Sequence, residues 1–328
     1  MIGAGGLLGS NVRAALETRP SRCARFEGGG PIPWDDETAL GPALHSLTAG
    51  FLAEAVGRGH EGWAVLWCGG ASVVASGTRE VAADRSAWER FLGALGRGLE
   101  GNPQAAARFG HVVLASSAGG IWAGHGGPAI TESTPVRPIS DYGFGQRARE
   151  ETLTGFAAKR PALRTAVVRL TNLYGPGQRL DKPQGLVSQI ARSLIQRRPI
   201  HIYVPLDTVR DYLYAADAGR GMADVLERLA RSPDAGPRPL LKVLASEQDT
   251  SVGGLLAIFR LITRRRAAVI AGPSPIGWRQ PLRLRFRSEV WTSVGRSHRT
   301  PLPEGVAQVY RDLLGQFSRG AMAPPVAG

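Results

Sequence analysis

Lysine is nearly missing from this 328-residue chain. It occurs at 159, 182 and 242, and the other 37 of the 40 basic residues are arginine. Against 27 acidic residues this leaves a net charge of +13, a surplus that admits a polyanionic partner. The arginines are scattered, however, and the densest cluster is Arg264-Arg265-Arg266. Arginine use on this scale reads as compositional bias, so no nucleic-acid partner is expected. The basic field still favours a small anionic substrate such as a nucleotide diphosphate. Cysteine is as scarce: Cys23 and Cys68 form neither a metal-ligand spacing nor a disulfide framework. The expectation is a reduced, cytoplasmic protein. Histidines at 45, 60, 111, 125, 201 and 298 are too dispersed for a metal site. No apolar run approaches the ~18 residues of a membrane-crossing helix, and no charged-then-apolar leader precedes the first glycine cluster. A membrane partner is therefore not expected.

What is present is an alternation. Short apolar runs at 64–68, 112–115, 165–170 and 240–244 read as buried parallel strands. Between them, 83–100 and 142–160 are long enough, and polar enough on one face, for helices. Strand and helix in turn imply an α/β fold, a doubly wound parallel sheet with its chemistry at the carboxyl ends of the strands. Past residue 172 proline and glycine become frequent, as in Gly175-Pro176-Gly177 and Gly272-Pro273-Ser274-Pro275. That change suggests a smaller C-terminal lobe. The expected division is a nucleotide-binding domain over 1–172, to which 205–250 returns, and a substrate lobe drawn mainly from 173–328. The segment from Ala321 to Gly328 reads as a frayed tail.

Gly3-Ala4-Gly5-Gly6-Leu7-Leu8-Gly9 fits G-x-x-G-x-x-G, with a helix beginning behind it. Glycines at such positions let the backbone turn tightly and approach a pyrophosphate resting on the helix N-terminus. Gly3, Gly6, Leu7, Leu8 and Gly9 are the expected cofactor-binding residues there. Only Met1 and Ile2 precede the loop, whereas a central strand normally needs ~5 residues. The first strand thus looks truncated, as a misplaced start or a fragment would leave it; if the chain begins here, weakened folding and loose cofactor binding are the expected cost. Glu27 lies 18 residues after Gly9, behind a possible strand Arg22 to Phe26. An acidic residue near that offset holds the adenosine ribose and favours NAD over NADP. Arg25 beside it is the competing feature, since it would suit a 2′-phosphate. Asp35 and Asp36 are either near the adenine or solvated loop carboxylates.

Further segments follow in order: Leu66 to Ala71 with Gly69 and Gly70; Ala115-Ser116-Ser117-Ala118; Tyr142-Gly-Phe-Gly-Gln146; Arg169-Leu-Thr-Asn172-Leu-Tyr174-Gly175-Pro176; Arg210-Asp211-Tyr212 with Asp217; and Thr300-Pro-Leu-Pro-Glu304-Gly305. With the glycine loop these resemble the extended short-chain dehydrogenase/reductases, the NAD-dependent epimerase/dehydratase family of nucleotide-sugar enzymes, over nearly the whole chain. The resemblance implies a Rossmann-type fold and NAD lying on the loop and on Gly69 and Gly70. It also implies a homodimer through the helices at 83–100 and 142–160. Its reaction takes a hydride from a sugar carbon to form a keto intermediate. Tyr142 would be the acid/base and Ser117 would polarise the hydroxyl, with Ser116 as fallback. Asn172 and Arg210 would contact the substrate diphosphate. Ala118 and Gly119 stand where the dehydratase branch carries acidic residues, which favours epimerisation or oxidoreduction over loss of water.

One position departs from the pattern. Tyr142 begins a Tyr-x-x-x-Lys motif whose lysine is Gln146. A free phenol has a pKa of about 10 and must be lowered to work near neutrality. Residues i and i+4 share a helix face, so Gln146 points toward Tyr142 and the cofactor ribose. It offers hydrogen bonds but no charge. Each uncorrected pKa unit corresponds to about 1.4 kcal/mol. The expected result is slow chemistry or a raised pH optimum. The alternative is a non-catalytic dinucleotide-binding protein that keeps the fold as a sensor or scaffold.

Overall fold

The computed structural model describes residues 1–19, 24–181, 184–232, 238–272, 281–296 and 299–321. In chain order the elements are α1 (Leu7–Glu17), α2 (Glu37–Gly57), β1 (Gly62–Trp67), α3 (Thr78–Glu100), α4 (Pro103–Ala106), β2 (Phe109–Ser117), α5 (Ala118–Ile121), α6 (Asp141–Ala158) and β3 (Leu163–Leu170). Then come β4 (Asn172–Tyr174), α7 (Leu186–Gln196), β5 (Ile200–Ile202), β6 (Val209–Tyr214), α8 (Ala215–Arg231), β7 (Leu240–Leu244), β8 (Asp249–Ser251), α9 (Val252–Thr263), β9 (Val269–Ala271) and α10 (Leu302–Ser318).

The main sheet has the order β1-β2-β3-β7 and is parallel throughout. Successive side chains of a strand point to opposite faces, and here both faces are covered. Trp63, Val65, Val112 and Leu114 pack with Leu44 of α2, Trp88 and Leu95 of α3 and Leu153 of α6. Leu66, Val113, Ala166 and Val168 pack with Leu8 and Val12 of α1 and with Met222, Val225 and Leu229 of α8. This is the doubly wound arrangement, and burial on both sides is why the strands read as unbroken apolar runs. The two helices of the second face touch closely: a Cβ on Gly219 would lie 2.4 Å from the Asn11 carbonyl oxygen. Arg19 at the end of α1 adds ion pairs to Asp224 and Glu227 of α8.

The short start of the chain takes the place beside β1. The Ile2 amide donates to the Leu66 carbonyl and the Cys68 amide donates to the Ile2 carbonyl, each at 2.9 Å. Among the described residues the main sheet ends at this one-residue bridge. The expected strand Arg22 to Phe26 is not formed over 24–26, which have no regular structure. Arg22 and Cys23 lie outside the described residues. Arg25 there bridges Glu17 at 3.3 Å and Glu27 at 2.9 Å, an exposed ion-pair stretch with no strand partner in the sheet.

Beyond β3 the chain builds a second core. Val187 and Ile190 of α7, Leu255 and Phe259 of α9, and Val306 and Val309 of α10 share one apolar cluster. β4 and β6 pair in parallel, with β8 antiparallel on β6. Two distant motifs meet here: a Cβ on Gly305 would lie 2.2 Å from the Tyr174 hydroxyl. Asp217 at the start of α8 accepts hydrogen bonds from the Thr300 amide at 2.7 Å and hydroxyl at 3.0 Å, tying down the entrance to α10. Segments 273–280 and 322–328, which include the expected Pro273-Ser274-Pro275 loop and most of the expected tail, lie outside the described residues. Among the described residues no helix is long and apolar enough to cross a membrane, and no group of three or more His, Cys, Asp or Glu is placed to hold a metal ion.

Candidate active site

The site lies at the carboxyl edge of the main sheet, where two loops converge beside the first turn of α6. The first is the glycine loop. Gly3 has φ +85°, a left-handed backbone that disfavours side chains. A Cβ there would lie 2.5 Å from the Gly69 nitrogen, so Gly3 lets the loop press against the end of β1. A Cβ on Gly9 would lie 2.1 Å from the Gly3 carbonyl oxygen. Gly6 is the N-cap of α1 with no side-chain cap bond, and the first turn through Leu7 and Leu8 carries no acidic residue. Uncapped amides and a positive helix end are the requirements of an anion cradle. These residues fit a dinucleotide pyrophosphate. Gly9→Ala is expected to cost about 1–3 kcal/mol of stability through overpacking and to abolish dinucleotide affinity. Thermal melting and calorimetric titration with NAD measure the two effects.

Glu27 is exposed and ion-paired. Its carboxylate is tied through Arg25 to Glu17, the last residue of α1. At 1.5 Å per residue that helix end is roughly 15 Å from the loop. Asp36 instead caps α2, accepting from the Thr38 amide at 2.9 Å and the Ala39 amide at 3.0 Å.

The second loop leaves β2. Ser117 is the N-cap of α5 and its Oγ accepts from the Gly120 amide at 3.1 Å. The Tyr142 ring lies directly over this turn: a Cβ on Gly120 would be 2.8 Å from the ring and 3.3 Å from the Ser117 Oγ. Ser117 and Tyr142 are therefore side by side. Ser116 is not. Its hydroxyl donates to Glu150 Oε1 at 2.6 Å, inside the protein.

Tyr142 stands in the first turn of α6, which Ser140 caps by accepting from the Gly143 amide. Gly143 is needed there because a Cβ would lie 2.3 Å from the Gly120 carbonyl oxygen. Burial pushes the Tyr142 phenol above its ordinary pKa, while the Ser117 hydroxyl, Arg149 and the Gln146 amide pull it back down. Gln146 is buried on the same face of α6. Its Oε1 accepts from Arg149 Nη1 at 3.3 Å, and Arg149 Nη2 donates to the Gly69 carbonyl at 3.2 Å. Glycine loop, Gly69, Arg149, Gln146, Tyr142 and Ser117 thus form one connected series. Gly70, at φ +153°, completes the turn after β1 beside Asp84. Cys68, buried at the same strand end, has its thiol pKa pushed up to about 12 by burial, so it stays neutral.

Of the substrate-side residues, Asn172 opens β4 and donates from Nδ2 to the Asp211 carbonyl at 2.8 Å. Its Oδ1 would meet a Cβ on Gly119 at 4.0 Å, beside the Ser117 turn. Arg210 is engaged elsewhere: its Nη1 donates to the Val209 and Pro281 carbonyls at 2.8 and 2.9 Å. Buried Asp211 accepts from Thr171 at 2.6 Å and from the Ser246 amide at 2.9 Å. His125, in the loop after α5, meets the Pro135 carbonyl at 2.8 Å.

Sequence reasoning missed the support beneath the site. Glu150 and Arg169 form a buried two-point pair, Oε1 to Nε at 3.0 Å and Oε2 to Nη2 at 2.6 Å. The Arg169 guanidinium also lies 4.3 Å from the Trp122 ring centroid. The arginine opening the Arg-x-x-Asn-x-Tyr-Gly-Pro segment therefore holds β3 to α6. A carboxylate eight residues past Tyr142 was the available signal.

Residues 103–237 match the NAD dependent epimerase/dehydratase family. The chain is 30% identical over 106 residues to dTDP-4-dehydro-6-deoxyglucose reductase of Escherichia coli, covering 32% of this chain and 33% of that one. It is 32% identical over 111 residues to dTDP-L-rhamnose 4-epimerase of Burkholderia thailandensis, covering 33% and 29%. These matches thus span about a third of the curated relatives. In fold the similarity is nearly complete. MoeE5 in complex with UDP-glucose and NAD superposes with a TM-score of 0.70 at 21% identity over 98% of both chains. UDP-glucuronic acid 4-epimerase from Bacillus cereus, in complex with UDP-glucuronic acid and NAD, gives 0.71 at 17% identity over 96% of this chain and 98% of that one. Residues 103–237, from α4 across β2 to α8, thus match the NAD dependent epimerase/dehydratase family, and the chain as a whole shares its fold with these solved structures.

Proposed function

We propose that the protein is an NAD-dependent epimerase or related oxidoreductase of nucleotide-diphosphate sugars, working through a keto intermediate. The observation that carries this reading is the Tyr142 phenol lying against Ser117 on Gly120, joined through Gln146 and Arg149 to the edge of the glycine loop. Bound NAD would supply the hydride acceptor. Gly3, Gly6, Leu7, Leu8 and Gly9 would hold its pyrophosphate, Gly69 and Gly70 would flank it, and Gln146 would hydrogen-bond its ribose. Ser117 would hold the sugar hydroxyl while Tyr142 takes its proton and later returns it. Asn172 is poised to meet the substrate beside Gly119. Arg210 would reach a phosphate with the part of its fork not turned to Val209 and Pro281. Ala118 and Gly119 provide no acid for loss of water.

NAD rather than NADP is favoured by the fold neighbours carrying NAD. A homodimer through α3 and α6 belongs to the same reading. These helices enclose a groove lined by Leu92, Gly93, Gly96, Thr152, Gly155 and Phe156. The second reading, a dinucleotide-binding protein without turnover, draws on the uncharged Gln146. Mass spectrometry of small molecules released from the purified, denatured protein tests the proposal. The expected result is NAD with a nucleotide sugar, followed by turnover of that sugar by the protein. Bound NAD without turnover of any nucleotide sugar, at neutral or raised pH, would establish the second reading instead. Absence of any dinucleotide, together with no binding of added NAD, would remove both.

A further inference from the structure

A guanidinium buried without a direct salt bridge is costly, and Arg149 is such a group. It is 3% exposed. Among the described residues its side chain makes no ion pair, and its Nε has no hydrogen-bond partner. The contrast within the same helix is plain, because the next residue, Glu150, pairs with Arg169. The charge that most supports Arg149 is the Asp84 carboxylate of α3, which it faces across Gly70 without a salt bridge, and a charge held in the interior in this way marks a candidate functional site.

The geometry points to Arg149 as the positive charge that stabilises the Tyr142 phenolate, in place of the lysine that position 146 does not provide. Seven residues are almost two full turns, so Tyr142 and Arg149 lie about 20° apart around α6, with Gln146 between them. The guanidinium is pinned, its Nη2 on the Gly69 carbonyl at 3.2 Å and its Nη1 on Gln146 Oε1 at 3.3 Å. An amide whose oxygen accepts from a cation is polarised, and its NH₂ becomes the better donor. That amide lies one helical turn from the phenol on the same face of α6 and favours its ionised form. Gln146 is then the relay through which Arg149 acts, and a lysine in its place would set two cations in contact and remove the Arg149 acceptor. Arg149 is a positioning residue in this scheme. The inference rests on Tyr142 being the acid/base, but its charge effect is measurable whether or not the protein turns over.

The groups facing the pair are few. Tyr142 faces Ser117, Gln146, Arg149 and, from α3, Asp84. Asp84 opposes Arg149 by pushing the phenol up. Its carboxylate is held by the Ala71 amide at 2.9 Å, the Ser72 amide at 2.8 Å and the Ser72 hydroxyl. Arg149 faces Asp84 as well, and beyond it Glu150, which Arg169 occupies, and Cys68, a neutral thiol.

The test is NMR titration of Tyr142, labelled at the ring carbon bearing oxygen, in the purified protein. In Arg149→Met the phenol acid constant is expected to fall about tenfold, a rise of one pKa unit. Arg149→Lys should stay near wild type. An unchanged Tyr142 pKa in folded Arg149→Met overturns the inference. The pair Gln146→Lys and Gln146→Lys/Arg149→Met gives a second, independent reading. The single change should lower Tm, and removing Arg149 in that background should restore Tm and return the phenol pKa to near its wild-type value. A Gln146→Lys/Arg149→Met protein no more stable than Gln146→Lys overturns the inference even if Arg149→Met alone does not fold. Turnover is scored separately. If wild type acts on no nucleotide sugar, the proposed activity falls while the titrations still decide the role of Arg149.

Discussion

On the proposed activity, Tyr142→Phe is expected to lower turnover of a nucleotide sugar by ~10²–10⁴-fold, the usual worth of a positioned general acid/base, while leaving NAD affinity nearly unchanged. The two effects separate for a geometric reason. The ring, not the hydroxyl, fills the space over Gly120, where a Cβ would come within 2.8 Å. Phenylalanine keeps that packing and removes one oxygen. The lost oxygen is the group facing Ser117 and the Gln146 amide. Its pKa is raised by burial, and proton abstraction needs the phenolate. Activity of the wild type should therefore climb with pH toward that raised pKa, and the climb should vanish in the variant. Steady-state rates across pH, beside calorimetric NAD binding, check both parts. A variant that keeps turnover within a few-fold of wild type would assign the proton to another group.

Glu150→Ala will destabilise the protein by about 3–5 kcal/mol, the cost of stranding one member of a buried pair. Arg169 would lose both of its carboxylate contacts, at 3.0 and 2.6 Å, and the Ser116 hydroxyl would lose its acceptor at 2.6 Å. Arg169 is 5% exposed, so water cannot take the place of the carboxylate. Urea denaturation should show a lower midpoint at an unchanged slope. The double replacement Glu150→Met/Arg169→Met should recover much of the loss, because two apolar side chains leave no unpaired charge. A cost below about 1 kcal/mol for Glu150→Ala would mean that the guanidinium finds other partners.

The sheet was legible in the chain for a simple reason. Parallel strands buried on both faces need apolar residues at every position, and runs such as 112–115 satisfy this locally. The glycine loop was legible because its requirements are backbone requirements. Gly3 and Gly9 stand where any side chain would strike the Gly69 nitrogen or the Gly3 carbonyl oxygen. The Rossmann-type fold follows from such short-range constraints placed in a particular order. Tyr142 and Ser117 were also readable, since each is tied to a local element: the N-cap of α5 at a strand end and the first turn of α6.

Contacts between side chains far apart in sequence were not legible. Glu27 fitted the expected offset from Gly9, yet the structure ties it through Arg25 to the far end of α1. Ser116 and Ser117 are equivalent as letters. Strand alternation sends the first to Glu150 and leaves the second beside Tyr142. Gln146 read as a missing charge, because only position i+4 was expected to hold one. Folding α6 against the end of β1 brings Arg149 over Gln146 and onto the Gly69 carbonyl. Composition, periodicity and turn chemistry establish which elements form and where a dinucleotide would rest. Which charges meet the phenol depends on how one helix face packs against a strand end from a separate part of the chain, and no local spacing encodes that.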